Sequence, residues 1–294
     1  MIDPKFHKLY YFSGIDTVGK FIEIDGINNL SINLNLSFSE NHVLGGSESA
    51  YQINAPKQIE ISFDRTMVQN DPLIKFTGKD PISNVFINNG REYLRFDNLF
   101  LNNYSAAFSV GDLPKINTRF VSYGEDLIRS SDLILSESPF INYQTFSGQT
   151  LIPKLNSIYL TGYNGNDSSL KYLKTNLVTE EEIHNIYGFD FNLEINRIPY
   201  YSVGSKYPVE VSPIYPYKIT ANINSKASSK YKNDIFPEYL NTDDYLNFRI
   251  LVSKDNLNFI DFPVTKAKMH SAAMEFSSQN TLEIKRSFVG HYGI

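Results

Sequence analysis

From Leu30 to Ser39 the chain alternates without a break, setting Leu30, Ile32, Leu34, Leu36 and Phe38 against Ser31, Asn33, Asn35, Ser37 and Ser39. Successive side chains of a strand point to opposite faces, so this period of two predicts a strand with one dry face. After Pro56, Ile59, Ile61 and Phe63 alternate in the same way with Glu60, Ser62 and Asp64, and Gly45-Gly46 breaks the chain between the two strands. Short runs of the same kind recur at Phe86–Ile87, Tyr93–Phe96, Ala106–Val110 and Arg119–Tyr123. The first 124 residues therefore read as all-β.

Helical signals are few. Thr179 with Glu182 three residues on fits a capping box, and Gly188 would close a two-turn helix through Ile183 and Ile186. A second helix is predicted over Glu125–Leu135, carrying Leu127, Ile128, Leu133 and Ile134. Residues 136–150 turn to Ser, Pro, Asn and Gly, the composition of a connection, and so divide a first domain at 1–135 from a second at 151–294.

The two halves resemble each other. Tyr11-Phe12-Ser13-Gly14 matches Tyr159-Leu160-Thr161-Gly162 at an offset of 148, and Leu30–Leu36 matches Phe189–Ile195 at 159. Leu44-Gly45 matches Val203-Gly204 at 159, and Pro56, Ile59 and Ile61 match Pro216, Ile219 and Ala221 at 160. Ser105-Ala106-Ala107 then matches Ser271-Ala272-Ala273 at 166, and Phe120-Val121 matches Phe288-Val289 at 168. Offsets that only grow along the chain are those of a tandem duplication with loop insertions, whereas chance matches scatter.

Composition narrows the function. The 294 residues are 41% hydrophobic and 20% charged with 20 Tyr and 21 Phe, enough apolar material for a folded protein. Lys and Arg number 27 against 32 Asp and Glu, a net charge of −5, which lacks the broad basic field that attracts phosphate backbones. With no cysteine, disulfides, thiolate metal sites and cysteine nucleophiles are excluded. Residues 1–8 lack a charged-then-apolar export pattern, and no run reaches the roughly 18 apolar residues of a membrane helix, so neither secretion nor membrane insertion is expected.

No catalytic, cofactor or metal residue is nominated. His7, His42, His184, His270 and His291 stand at no metal-binding spacing, and Glu180-Glu181-Glu182 sits at the predicted helix start, where negative charge suits the helix dipole. Asn164-Gly165-Asn166-Asp167 lacks the alternation and terminal Glu of a calcium loop and reads as a hairpin turn. Neither a phosphate-binding loop nor a nucleophile elbow is present.

The order of several strings resembles the phage tail tube protein family, in a form with two tandem tube domains. In the second half these are Arg197–Ser205, which ends in a Val-Gly-Ser turn, and the following Tyr215-Pro216. In the first half they are Asp71-Pro72-Leu73, Phe76-Thr77-Gly78, Tyr104–Pro114 and Phe120–Gly124. The resemblance implies two β-sandwich or half-barrel domains with one or two short flanking helices, ring assembly as a trimer imitating a hexamer, and rings stacked into a conduit for DNA. It also implies tape-measure and other tail proteins as partners, and a place in the virion after assembly in the host cytoplasm. A tail-tip or baseplate hub has the same domains. A carbohydrate-binding β-sandwich is the alternative of another class, although zero Trp removes its favoured stacking platform.

In a tube the polar strand faces would meet passing DNA. They carry Ser31, Asn33, Asn35, Ser37, Ser39, Glu60, Ser62 and Asp64 in the first half, and Asp190, Asn192, Glu194, Asn196, Lys218, Thr220, Asn222 and Asn224 in the second. Four carboxylates against one lysine give −3 per chain, a wall that lets DNA slide without specific binding. An ordinary solvated sandwich face accounts for the same Ser and Asn residues. The loops Glu40–Tyr51, with Gly45, Gly46, Ser47 and Glu48, and Arg197–Val211, with Tyr200, Tyr201, Tyr207 and Pro208, are expected either between stacked rings or over the sandwich core.

Overall fold

The computed structural model describes residues 7–12, 21–24, 27–35, 38–42, 49–53, 58–67, 71–78, 80–89, 93–123, 128–130, 143–145, 152–153, 158–162, 186–205, 207–226, 246–254, 257–276 and 282–292. The first half contains β1 (His7–Phe12), β2 (Phe21–Ile24), β3 (Ile27–Asn35), β4 (Phe38–His42), β5 (Ser49–Ile53), β6 (Gln58–Thr66), β7 (Ile82–Asn89), β8 (Tyr93–Ser109), β9 (Lys115–Tyr123), β10 (Ile128–Ser130) and β11 (Tyr143–Thr145). The second contains β12 (Ile158–Gly162), β13 (Ile186–Glu194), β14 (Arg197–Tyr200), β15 (Glu210–Pro213), β16 (Lys218–Lys226), β17 (Leu246–Lys254), β18 (Leu257–Phe276) and β19 (Leu282–Tyr292). The protein is mainly β. Among the described residues a short 3-10 helix, Pro72–Thr77, is present and there is no α-helix.

Fifteen strands form one branched sheet, and β4–β5 and β14–β15 form separate hairpins. In the first half β1 pairs β7, and the ladder continues through β8, β9, β6 and β3. In the second half β12 pairs β17, and the ladder continues through β18, β19, β16 and β13. The registers also correspond: Ile32, Ile61 and Phe120 lie opposite one another, as do Phe191, Ala221 and Phe288. Each long strand bulges at corresponding points, β8 between Leu101 and Asn103 and β18 between Met269 and Ser271, and β18 has a further irregularity between Thr265 and Lys268.

These pairings correct one match made from the sequence. They set Leu101 opposite Phe120 and Met269 opposite Phe288, so Ser105 corresponds to Ala273, at an offset of 168. The Ser-Ala-Ala strings are two residues out of step.

Burial follows the alternation. On β6 every second residue is buried, and Phe63 stacks on Phe120 with centroids 6.0 Å apart. Sealing a side chain of this size stabilises by about 1.5–3 kcal/mol. On β8, Leu99, Phe100 and Leu101 are buried in succession, breaking the period of two. The bulge there re-aims the strand, so its first part pairs β7 and its last part, from Asn103 to Ser109, pairs β13 of the other half.

That β8–β13 joint makes the two halves one sheet. Phe108 stacks on Phe189 at 4.5 Å, and Phe262 of β18 closes over Phe191 at 4.1 Å. Tyr104 of β8 donates a 2.7 Å hydrogen bond to Asp71, which also forms a buried ion pair with Arg65 and caps the 3-10 helix by accepting from the Leu73 amide. Burial, then the Asp71 charge, pushes the Tyr104 phenol well above its ordinary value.

From the second half, buried Arg197 reaches into the first. Its Nε donates to the Leu101 carbonyl at 2.9 Å, one terminal nitrogen donates to the Gly78 carbonyl at 2.9 Å, and its guanidinium lies 5.4 Å from the Phe100 ring centroid. Burial lowers its pKa. The Tyr217 hydroxyl donates to the Thr77 carbonyl beside it.

Four expectations change. The single strand expected over Leu30–Ser39 is divided: β3 ends at Asn35, and Phe38 and Ser39 open β4, where Ser39 faces Gln52 of the separate β4–β5 hairpin and not the polar surface. Ile128–Ser130, placed in a helix over Glu125–Leu135, is β10 and pairs Tyr93–Arg95, because the open edge of β8 offers a ladder that a short isolated helix lacks. Ile186–Gly188, placed at the end of a helix, opens β13 between β8 and β16, and residues 179–185 lie outside the described residues. Tyr143–Thr145, placed in the 136–150 connection, is a strand running parallel to β2.

Candidate functional site

Cross-strand partners in a ladder share a face, so the registers show which polar residues lie together. Asn33 faces Glu60, and Ser31, Ser62 and Arg119 form the next row. Asp64 faces Asn117, which faces Ser105, which faces Asn192, which faces Thr220. Asp190 faces Asn222, and Glu194 faces Lys218. Beyond them Asn224 faces Lys285 and Lys285 faces Ala273. The described polar-face candidates from Ser31 to Asn35, Glu60 to Asp64, Asp190 to Glu194 and Lys218 to Asn224 thus occupy one surface. It spans eight strands in the order β3, β6, β9, β8, β13, β16, β19 and the last part of β18.

Asn196 lies past the end of β13, exposed, with its carbonyl accepting from the Ile214 amide at 2.8 Å. Ser37, Gly45, Gly46, Ser47 and Glu48 lie outside the described residues. The expected loops prove to be hairpins: β4 pairs β5, and β14 pairs β15 with Tyr200 opposite Glu210. Tyr200 and Tyr207 are exposed and Tyr201 is half-buried, with burial raising the Tyr201 pKa. Ile198, Val203, Val209, Ile214 and Tyr215 add exposed apolar surface around them.

The surface carries more cations than the four alternating strands supply. Lys115 and Arg119 enter from β9, Lys226 from the end of β16 and Lys285 from β19, while β18 and β19 add Glu275 and Glu283. Lys268 of β18 joins the Thr220 row through Val289, so with Glu60, Asp64, Asp190, Glu194 and Lys218 this makes six carboxylates and six cations. The alternations of Lys115, Asn117 and Arg119 with Ile116, Thr118 and Phe120, and of Glu283 and Lys285 with Leu282 and Ile284, were the signals that disclose them.

Neighbours engage these charges. Asp64 accepts from Asn117 and from Asn29, and Asp190 accepts from Asn222 at 2.7 Å. Asn103 donates to Asn192 across the β8–β13 joint at 2.8 Å. Lys285 pairs Glu275 at 2.8 Å, and that hydrogen bond raises the lysine pKa. Longer pairs join Arg119 to Glu60 and Lys218 to Glu194, both at 3.8 Å. Tyr187 donates to Glu283 at 2.9 Å, and burial followed by that bond pushes its phenol up to about 12.

A groove of about 750 Å³ opens on this surface around Asp64, Lys115, Asn117, Asp190 and Asn192. Its carboxylates are held by amide donors. Among the described residues no group of three His, Asp or Glu is placed to hold a metal ion, and no helix is long and apolar enough to cross a membrane. A surface of short neutral donors and cross-paired charges can touch a polyanion along its length without gripping it at one point. Compared with known families and curated proteins, the chain matches no family model and no curated sequence.

Proposed function

We propose that this chain is a virion structural protein of the phage tail tube type, whose copies close into rings and whose rings stack into a conduit for DNA. The observation that carries the reading is the eight-strand polar surface, built equally from two halves that share one order of pairing. The corresponding registers favour a tandem duplication, with each half acting as one tube domain. At a strand spacing of about 4.8 Å, three copies would line up 24 strands around a bore about 37 Å across between backbones before strand tilt widens it. The mixed, cross-paired charge makes that bore near-neutral, so DNA passes without a holding site. The exposed apolar residues of the β14–β15 hairpin suit contact with the next ring, and tape-measure and other tail proteins are the remaining partners.

Negative-stain microscopy of the purified protein tests this reading. Rings and tubes are expected. Single rings that never polymerise would place the chain at the tail tip as a hub, and a monodisperse monomer at every concentration would overturn the reading.

A further inference from the structure

Among the described residues there is one completed joint between halves and, at corresponding positions, the two open edges of another. On β13 every residue from Gly188 to Glu194 is paired with β8. The counterpart of β13 is β3, offset by 159, which among the described residues pairs only β6. The counterpart of the last part of β8 is the last part of β18, offset by 168. Pairing of β18 with β17 stops at Ala267, so the stretch 271–276 has β19 on one side and no strand on the other among the described residues.

Burial marks the same difference. Phe191 and Leu193, on the dry side of β13, are sealed at 1% and 0% exposure. At the corresponding positions of β3, Ile32 is half-buried and Leu34 is 56% exposed. An open edge with an uncovered apolar row is a template for another strand.

We infer that the occupant is a second copy of this chain, whose β3 pairs antiparallel with the open edge of β18 in the register of the β8–β13 joint. Asn192 faces Ser105 in that joint, so Asn33 of one copy faces Ala273 of the next. Ser31 then faces Glu275 and Asn35 faces Ser271. The apolar side of β3, led by Leu34, turns into the neighbour's core as Leu193 does within the chain. The interface is heterologous, with two different edges meeting, so each copy added presents the same two edges and the assembly closes as a ring or grows. This deepens the tube reading and rests on it for closure into rings, while the joint itself rests on the pairing pattern.

The hydrogen-bond pattern selects the test. Ile195 donates to Asn102 and Val110 donates to Tyr187, so the pair Asn192/Ser105 lies between bonded pairs, where opposed residues approach most closely. The pair Asn33/Ala273 inherits that geometry, which suits a disulfide. Because the chain has no cysteine, N33C/A273C carries only the two thiols of interest. Oxidised N33C/A273C should run on non-reducing gels as a ladder of covalent multimers, and N192C/S105C, the internal control, as a monomer with an intrachain bond. The shifted pairs S31C/A273C and N35C/A273C should cross-link at least tenfold more slowly. Assembled rings without N33C/A273C cross-links, or faster cross-linking of a shifted pair, would overturn this joint and leave the tube reading standing. Open covalent chains that never close would support the joint and overturn the tube. A monomer with neither assembly nor cross-links would overturn both.

Discussion

The β8–β13 joint and its open counterpart differ less in strand design than in what surrounds them. Both β3 and β13 are nine-residue strands with one polar and one apolar row, each paired to a nine-residue neighbour in the same register. At the closed joint, however, Tyr104 is tied to Asp71 and Arg65, and Arg197 bonds backbone carbonyls of the first half. The residue corresponding to Tyr104 is Ala272, and that corresponding to Arg197 is Phe38, so neither device is repeated at the open edges. Alternation makes an edge able to pair, and the buried polar ties make one pairing permanent. A joint without them can remain reversible until copies meet.

The largest effect is expected at the buried ion pair. Asp71→Ala leaves the Arg65 charge unpartnered in the core and should destabilise the chain by about 3–5 kcal/mol, read from the urea midpoint. Close behind, Leu193→Pro removes an amide donor from a strand paired on both sides and should cost about 3 kcal/mol or more in the same assay. A variant that unfolds at the wild-type midpoint would remove the closed joint from the account.

Arg197→Met keeps the stem that packs near Phe100 but loses the hydrogen bonds to carbonyls. A loss of about 2 kcal/mol is expected, with calorimetry showing the two halves beginning to melt separately. A single unshifted transition would mean that Arg197 does not fasten them.

Alkaline pH should weaken the Tyr104–Asp71 bond at the closed joint and the Tyr187–Glu283 bond between β13 and β19. The phenols of Tyr104 and Tyr187 both titrate higher in the folded chain than the ordinary value of 10.0, so the native state holds their protons more tightly than the unfolded state. Their contribution is full below pH 10 and is lost as pH rises through the folded values, about 12 for Tyr187. The urea midpoint should therefore be flat up to pH 10 and fall above it. Tyr187→Phe should make that fall shallower, and an unchanged slope would show that its bond to Glu283 adds nothing.

The polar surface was legible from sequence at Leu30–Asn35 and Phe189–Glu194, because a period of two assigns faces without knowledge of neighbours, but the same alternation ran on through Phe38 and Ser39, which belong to the β4–β5 hairpin. The path of β8 was not. Three consecutive buried residues, Leu99, Phe100 and Leu101, hide the continuity of a 17-residue strand that appeared as two short runs. The β8–β13 pairing was also beyond reach, since residues some 85 positions apart meet through tertiary register and not through local pattern. The helix end expected at Ile186–Gly188 was misplaced for a related reason, while Thr179 and Glu182 lie outside the described residues. Ile186–Gly188 had alternative partners on both sides, and ladders to two strands outweigh one short helix.

The most direct test compares sedimentation velocity of the intact chain with that of Leu34→Pro. Odd-numbered residues of β13 direct their amides to β8, so the corresponding amide of Leu34 points to the open edge of β3 and away from β6. Proline there should spare the single chain, changing its stability by no more than about 0.5 kcal/mol, and remove the donor a second copy needs. With β3 seated on the next copy, the wild type should sediment at closed-ring mass and Leu34→Pro as a folded monomer. A Leu34→Pro chain that assembles like the wild type would contradict that seating.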